Sequence, residues 1–330
     1  MSLQYPDSVN RMLLASGLRS SPPERDGGRE TRRFARVVFL VDPGRAHWGS
    51  AVLRGNQLAE MVRAPLEKAG IAVDLQGSIA SVENSIVVMN KTFLMAGGVE
   101  AIAQAQARGN FVAIDPLDYQ TKRSWLYRAD RVIASSYGQF GVLTRARRRA
   151  SVVFVPHHVD SRIGAVQCQQ QRFACAYFGA PYNAAYLSEL AAGSLCTPVD
   201  ASDGLCTSWM DRLQPFNCHY LLRSRQSFDG FKPFTKGYLA AHCGAVVVVC
   251  RRDEEARMHL GHEYPFFYDV RNLRDAKAAI ADVRSAFNTH RWDTAISAMR
   301  QLKDKCSPEE VIRSFTSAFD DVLATRCSSA

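Results

Sequence analysis

Between Lys232 and Lys236 the chain reads Lys-Pro-Phe-Thr-Lys, two ammonium groups and a hydroxyl within little more than one helical turn. The segment continues as Gly237-Tyr-Leu-Ala-Ala-His-Cys-Gly244, a helix-like stretch closed by glycine, and then as the apolar run Ala245–Val249. Pro233 suits the first turn of such a helix, and the free amides at a helix's amino end favour an anion. Lys232, Thr235 and Lys236 stand at that end, good chemistry for a diphosphate. The same spacing also describes a surface helix with two solvated lysines.

Further groups follow strand-like runs. After Arg36–Val41 come Asp42-Pro-Gly-Arg-Ala-His47-Trp-Gly49-Ser50, then Arg54 and Gly55. Glycines here permit close backbone approach, Ser50 is expected to cap the next helix, and His47 is a candidate base. The loop is not GxGxxG, so no dinucleotide fingerprint is supported. Asp115 and Asp118 follow Phe111–Ile114, where a carboxylate can take a proton from a hydroxyl, although aspartate is also an ordinary turn residue. Gly179 follows Phe178 and lets backbone approach a ligand. Arg223 and Arg225 follow His219–Leu222 and carry forks suited to phosphate, with Arg223 nearer the strand end. His157 and His158 read as ligand contacts, hinge or structural histidines. With no Cys or carboxylate cluster beside them they make a poor zinc site, and no metal is expected. No GxSxG occurs and no cysteine stands beside a clear base.

The elements that must position these groups alternate. Strands are expected at Arg36–Val41, 71–75, 85–89, 111–114, 131–134 and 152–155, then at 173–178, 196–199, 219–222, 245–250 and 265–270. Helices fall between them, one from about Ser50 to Ala69 with Pro65 as a potential kink, another over 99–107. The last sixty residues read as helical, with Ser307-Pro-Glu-Glu310 as a start signal. The expected fold class is α/β, two doubly wound Rossmann-like domains facing across a cleft. The expected division is a flexible arm over 1–34, a first domain over 35–160, and a second over 161–330 with the carboxyl-terminal helices.

The bulk numbers agree with two such domains: 330 residues, 47% hydrophobic and 22% charged. Nine cysteines, none before Cys168 and no pair at CxxC spacing, read as reduced core residues rather than disulfides. No apolar run of about 18 residues predicts a membrane span. No secretory h-region is legible near Met12–Ala15, so the expected location is the cytoplasm. The net charge of +9, with clusters such as Arg145–Arg149, fits a solvated surface or an anionic partner, membrane or nucleic acid.

The run from Phe228 to Val249 resembles the donor-side segment of GT-B glycosyltransferases, where Lys-Pro-x-x-Lys leads into a helix ending in Cys-Gly and a valine-rich strand. Val38–Arg54, Val132-Ile-Ala-Ser-Ser136, Val155-Pro-His-His-Val-Asp160, Tyr177-Phe-Gly-Ala-Pro181 and Gly261–Asp269 match in order, so the resemblance covers about residues 35–325. It implies transfer of a sugar from a nucleotide-diphosphate sugar, held mainly by 173–290, to a glycan, lipid-linked or other hydroxyl acceptor held by 35–155. Donor phosphates would meet Gly179, Arg223, Lys232, Thr235 and Lys236; Gly49, Ser50, Arg54, His157 and His158 would line the cleft; His47, Asp115 or Asp118 would act as base. No cofactor is implied beyond the donor substrate. The lipid-linked acceptor suggests work at the inner face of an anionic membrane. One departure matters: the paired glutamates of many retaining members would fall near Phe231 or Lys232 and at Leu239, and neither acid is present. That departure keeps open a non-catalytic sugar- or nucleotide-binding scaffold, and the charge keeps open a nucleic-acid-associated or base-glycosylating protein.

Overall fold

The structure, a computed structural model, describes residues 33–119, 121–224 and 231–324. Nearly all of the arm expected over 1–34 lies outside them, as does Arg225. The chain forms two compact units. The first runs to His157 and takes back Phe231–Pro233 and the chain from Pro308; the second comprises the chain from His158 and Phe234–Ser307.

In the first unit β1 (Arg36–Leu40), β2 (Ala72–Gln76), β3 (Ile86–Asn90), β4 (Phe111–Asp115), β5 (Arg131–Ala134) and β6 (Ser151–Phe154) form one sheet, ordered β2-β1-β3-β4-β5-β6. Every pairing is parallel. Alternate residues feed two cores: Val37, Phe39, Ile86 and Val88 on one face, Val38, Leu40, Val87 and Met89 on the other. Both faces are covered by helices, α1 (Leu58–Lys68), α2 (Lys91–Ala107), α3 (Arg123–Arg128) and α4 (Tyr137–Arg145) among them. These β-branched runs are therefore apolar on both sides, as buried parallel strands must be.

The second unit repeats the plan. Its strands β7 (Cys175–Phe178), β8 (Thr197–Val199), β9 (Cys218–Tyr220), β10 (Val246–Cys250) and β11 (Phe267–Tyr268) are ordered β11-β10-β9-β7-β8, again parallel. Its helices are α5 (Leu187–Ala192), α6 (Thr235–Cys243), α7 (Glu254–Leu260), α8 (Leu273–Ser285) and α9 (His290–Lys305). In each sheet the first strand lies between the second and the third. The winding thus reverses between β1 and β3 and between β7 and β9, and open parallel sheets bind ligands beyond the carboxyl ends at such points.

Three expectations change. The stretch from Ser50 to Ala69 is one α-turn (Gly49–Ala51), a π-helical segment (Val52–Gln57) and then α1, which runs through Pro65. Pro65 is exposed, so solvent reaches the carbonyl that loses its helical donor. The helix expected over 99–107 is present, but it is preceded by a further helical stretch from Lys91, joined to it across non-helical backbone at Gly98 (φ +57°). The third concerns α10 (Pro308–Phe319), which packs on the first unit rather than the second. Val311, Phe315 and Phe319 enter the core beside Phe39, with the Phe39 and Phe315 rings 5.6 Å apart. Full burial of such side chains stabilises by about 1.5–3 kcal/mol each. Arg131 secures the end of this helix, pairing with Asp321 at 2.8 Å while lying over the Phe111 and Phe319 rings.

The eight described cysteines are free. Burial pushes the Cys168 thiol up to about 11 and that of Cys243 up to about 12, so both remain protonated and pack as small apolar groups.

Candidate functional site

At the reversal point of the first sheet the sequence buries a charge. The π-helical segment after β1 turns Arg54 inward, where its side chain is 1% exposed. Its Nε donates to Asp115 Oδ2 at 2.7 Å and its Nη1 to the Pro156 carbonyl at 2.8 Å. Such π-turns occur often at functional positions because they re-aim one side chain. Gly55 makes the approach possible: a Cβ there would sit 2.3 Å from Val41 Cγ2 and 3.2 Å from Asn90 Nδ2. Asp115, at the end of β4, is 0% exposed. Burial pushes its carboxyl up, and the Arg54 guanidinium opposes that shift.

Beside this pair the edge is more open. Asn90 closes β3 and caps α2, its Oδ1 accepting from Phe93 N at 3.1 Å and Thr92 Oγ1 at 2.7 Å. The next residue, Lys91, donates from Nζ to Asp118 Oδ1 at 2.7 Å. These two side chains keep 19% and 26% of their surface exposed. Asp118 follows Leu117, whose φ of +54° is costly for a residue with a Cβ, by about 1–2 kcal/mol. That turn separates the two aspartates into a buried partner of Arg54 and an accessible partner of Lys91. His47 lies exposed in the turn before Gly49. Ser50 does not cap the helix: the cap position is Trp48, which makes no side-chain cap bond, and Ser50 sits inside the first turn.

The second sheet carries a different set at its own reversal point. β7 is followed directly by Gly179, with φ +141°, and the Lys236 side chain crosses its α-carbon. A Cβ at Gly179 would lie 2.8 Å from Lys236 Cε and 3.2 Å from its Nζ. The ammonium rests 5.0 Å above the centre of the Tyr177 ring. Tyr177 donates from Oη to the Ala180 carbonyl at 3.1 Å, and burial pushes its hydroxyl up to about 12, so it stays a donor. Thr235 and Lys236 are the first two residues of α6; the cap is Phe234, so Pro233 precedes the helix instead of opening it. The Phe234 ring needs Gly237 bare, since a Cβ there would come within 2.0 Å of it. Arg223, beyond β9, pairs in an isolated bridge with Ala184, and its charge reaches Tyr177.

His219 lies within β9, 2% exposed and with its ring 4.7 Å from that of Phe178. Burial pushes its imidazole down to about 3, so it is neutral in the folded chain. Unfolding releases it to about 6.5, and the unfolded state then binds more protons between those values. Stability is accordingly expected to fall as pH drops from about 6.5 toward 3, by at most about 1.4 kcal/mol per pH unit from this group. His219→Leu is expected to flatten that slope in urea titrations run across the range.

The expected residues are therefore distributed. Arg54 and Asp115 meet in the first unit; Gly179 and Lys236 meet in the second. Lys232 falls with Phe231–Pro233 in the first unit, where Phe231 O accepts from Ser136 Oγ at 2.9 Å. His157 and His158 are both 2% exposed and fall on either side of the division. Among the described residues no three His, Cys, Asp or Glu side chains are grouped to hold a metal ion. Tyr177, Asn90 and Lys91 were not singled out in the sequence; Asn90-Lys-Thr-Phe93 directly after an apolar run is the cap signal that marks the last two.

No family profile and no curated protein matches the chain. Solved structures do. Anabaena HepE in complex with UDP and glucose matches with a TM-score of 0.59 and 11% identity over 87% of this chain and 100% of that one. A glycosyltransferase from Rickettsia africae matches with a TM-score of 0.59 and 8% identity over 88% and 98%. The pneumococcal O-GlcNAc transferase GtfA, in complex with UDP and GlcNAc, matches with a TM-score of 0.50 and 11% identity over 72% and 56%. At these identities the likeness establishes the fold: the chain has the α/β fold of the GT-B glycosyltransferases, with two Rossmann-like domains.

Proposed function

We propose that the chain transfers a glycosyl group from a nucleotide-diphosphate sugar to a hydroxyl of a carbohydrate or lipid-linked acceptor, without a metal ion. The observation that carries this reading is Lys236, laid across the bare α-carbon of Gly179 where the second sheet reverses. A cation there, at the amino end of α6 and with Arg223 on the neighbouring strand end, suits a diphosphate leaving group. Fixed donors aimed at developing negative charge are often the largest single contribution to such a reaction. Solved structures of the same fold that hold UDP with a sugar support the same ligand class.

In the first unit Asp118 is the better base. Its carboxylate is partly exposed, open to an acceptor hydroxyl and paired with Lys91, whereas Asp115 is sealed against Arg54. Arg54 and Asp115 then hold the ends of β4 and the π-turn in place. Leu239, where an acid of the paired-glutamate pattern would stand, is buried on α6 and offers no group for the step those glutamates perform. No helix among the described residues is long and apolar enough to cross a membrane.

A thermal-shift series of nucleoside diphosphates and their sugars tests the donor assignment. A ligand at a hundred times its Kd stabilises by about 2.7 kcal/mol, a shift of several degrees. A clear shift with at least one diphosphate is the expected result, and none across the series rejects the site. Transfer of radiolabel from the sugar nucleotide that binds then separates an enzyme from a binding scaffold.

A further inference from the structure

Between Lys122 and Arg149 the chain carries eight lysines and arginines and a single acid, Asp130, a large share of its net +9. The fold gathers most of this charge onto one surface of the first unit. Arg149 N and Ala150 N both donate to Leu126 O at 3.0 Å, which seats the turn after α4 against the carboxyl end of α3. Arg128, Arg145, Arg147 and Arg149 are exposed there, with no salt-bridge partner among the described residues. Asp130 is engaged elsewhere, accepting from Val112 N at 2.9 Å and Gln106 Nε2 at 3.3 Å. Arg131 is drawn away into its pair with Asp321.

Two large apolar side chains stand on the same two helices. Tyr127 is 40% exposed and Val142 44% exposed, the latter one turn before Arg145 on α4. The guanidinium of Arg123 lies 5.5 Å over the Tyr127 ring. Arginine alone would suit any polyanion. A bare valine adds nothing to a phosphate contact, whereas at a lipid surface it and the tyrosine ring can enter the headgroup–acyl boundary while the arginines meet anionic headgroups.

We propose that this surface, formed by α3, α4 and the turn 145–149, docks the protein on an anionic lipid bilayer. α3 and α4 lead into the amino ends of β5 and β6, so the docking surface lies toward the opposite ends of the strands from Asn90 and Asp115. It is therefore separable from the glycosyl-transfer reading, and either can fail alone.

The test is co-sedimentation of the full chain with phosphatidylcholine vesicles, with and without phosphatidylserine, at low and high salt. Binding only to the phosphatidylserine vesicles, weakened by salt, is expected. Replacing Arg145, Arg147 and Arg149 together by glutamine is expected to lower partitioning by about a hundredfold, since each basic side chain near such a surface contributes roughly a factor of five. Tyr127→Ser is expected to lower it several-fold even at high salt, where charge is screened. The triple variant should keep its melting temperature and its nucleotide-sugar shift, which excludes misfolding as the cause. Equal partitioning of wild type and triple variant, or no binding to anionic vesicles, overturns the proposal. So does binding to duplex DNA that the triple variant loses, in a protein that leaves the vesicles alone.

Discussion

Lys236→Ala is expected to lower kcat/KM for the nucleotide sugar by about 10²–10³-fold, the range seen when one donor to a developing anion is removed. The fold should survive the change. Lys236 is only half-buried, and its ammonium lies over the Tyr177 ring at the strand end rather than inside the core. Steady-state kinetics with a fixed acceptor would measure the loss, and the thermal shift with the matching nucleoside diphosphate should shrink in parallel. A companion change tests geometry instead of charge. Gly179→Ala keeps the lysine but places a methyl 2.8 Å from its Cε, on a backbone with φ +141°. The side chain must move off the strand end, and the backbone strain costs about 1–3 kcal/mol. Loss of donor binding in both variants, with Lys236→Arg retaining part of it, would tie the function to a cation at this spot. Full activity in Lys236→Ala would remove the basis of the donor assignment.

The second large effect concerns stability. Arg54→Met is expected to destabilise the first unit by about 3–5 kcal/mol, because Asp115 would be left ionisable and unpaired at 0% exposure. Urea unfolding followed by tryptophan fluorescence would show it, Trp125 being buried in that unit's core. Asp115→Leu alone should cost a similar amount by stranding the guanidinium. The double variant Arg54→Met/Asp115→Leu is expected to recover most of the loss, since two apolar side chains need no partner. Additive losses in the double variant would mean that the two residues act through separate contacts. If Asp118 is the base, the double variant should also retain measurable transfer, whereas Asp118→Asn should lose it without a comparable loss of stability.

How far the chain alone reveals these features follows from the range of the forces involved. Alternating apolar runs and glycine stops depend on neighbours along the chain, so two sets of parallel strands were legible, down to Val246–Cys250 and the glycine at 244 that closes its helix. The amino end of α6, with Thr235 and Lys236, was legible for the same reason. Local exceptions were harder. A π-turn at Val52–Gln57 has no periodic signature of its own and is held by Arg54 reaching a residue 61 positions away.

Long-range partners were decided only by the tertiary structure. Gly179 and Lys236 are far apart in sequence, and nothing local to either shows that one side chain crosses the other's backbone. The two aspartates after β4 look alike in the chain. Folding seals Asp115 against Arg54 and leaves Asp118 beside Lys91, because strand order places those partners and the turn at Leu117 separates the carboxylates. The last helix looked like part of the second domain by position, but Val311, Phe315 and Phe319 find their apolar surface on the first sheet beside Phe39. Burial of apolar area carries no memory of sequence distance. The chain therefore determined its elements and the chemistry at their ends, and three-dimensional packing determined which of those ends meet.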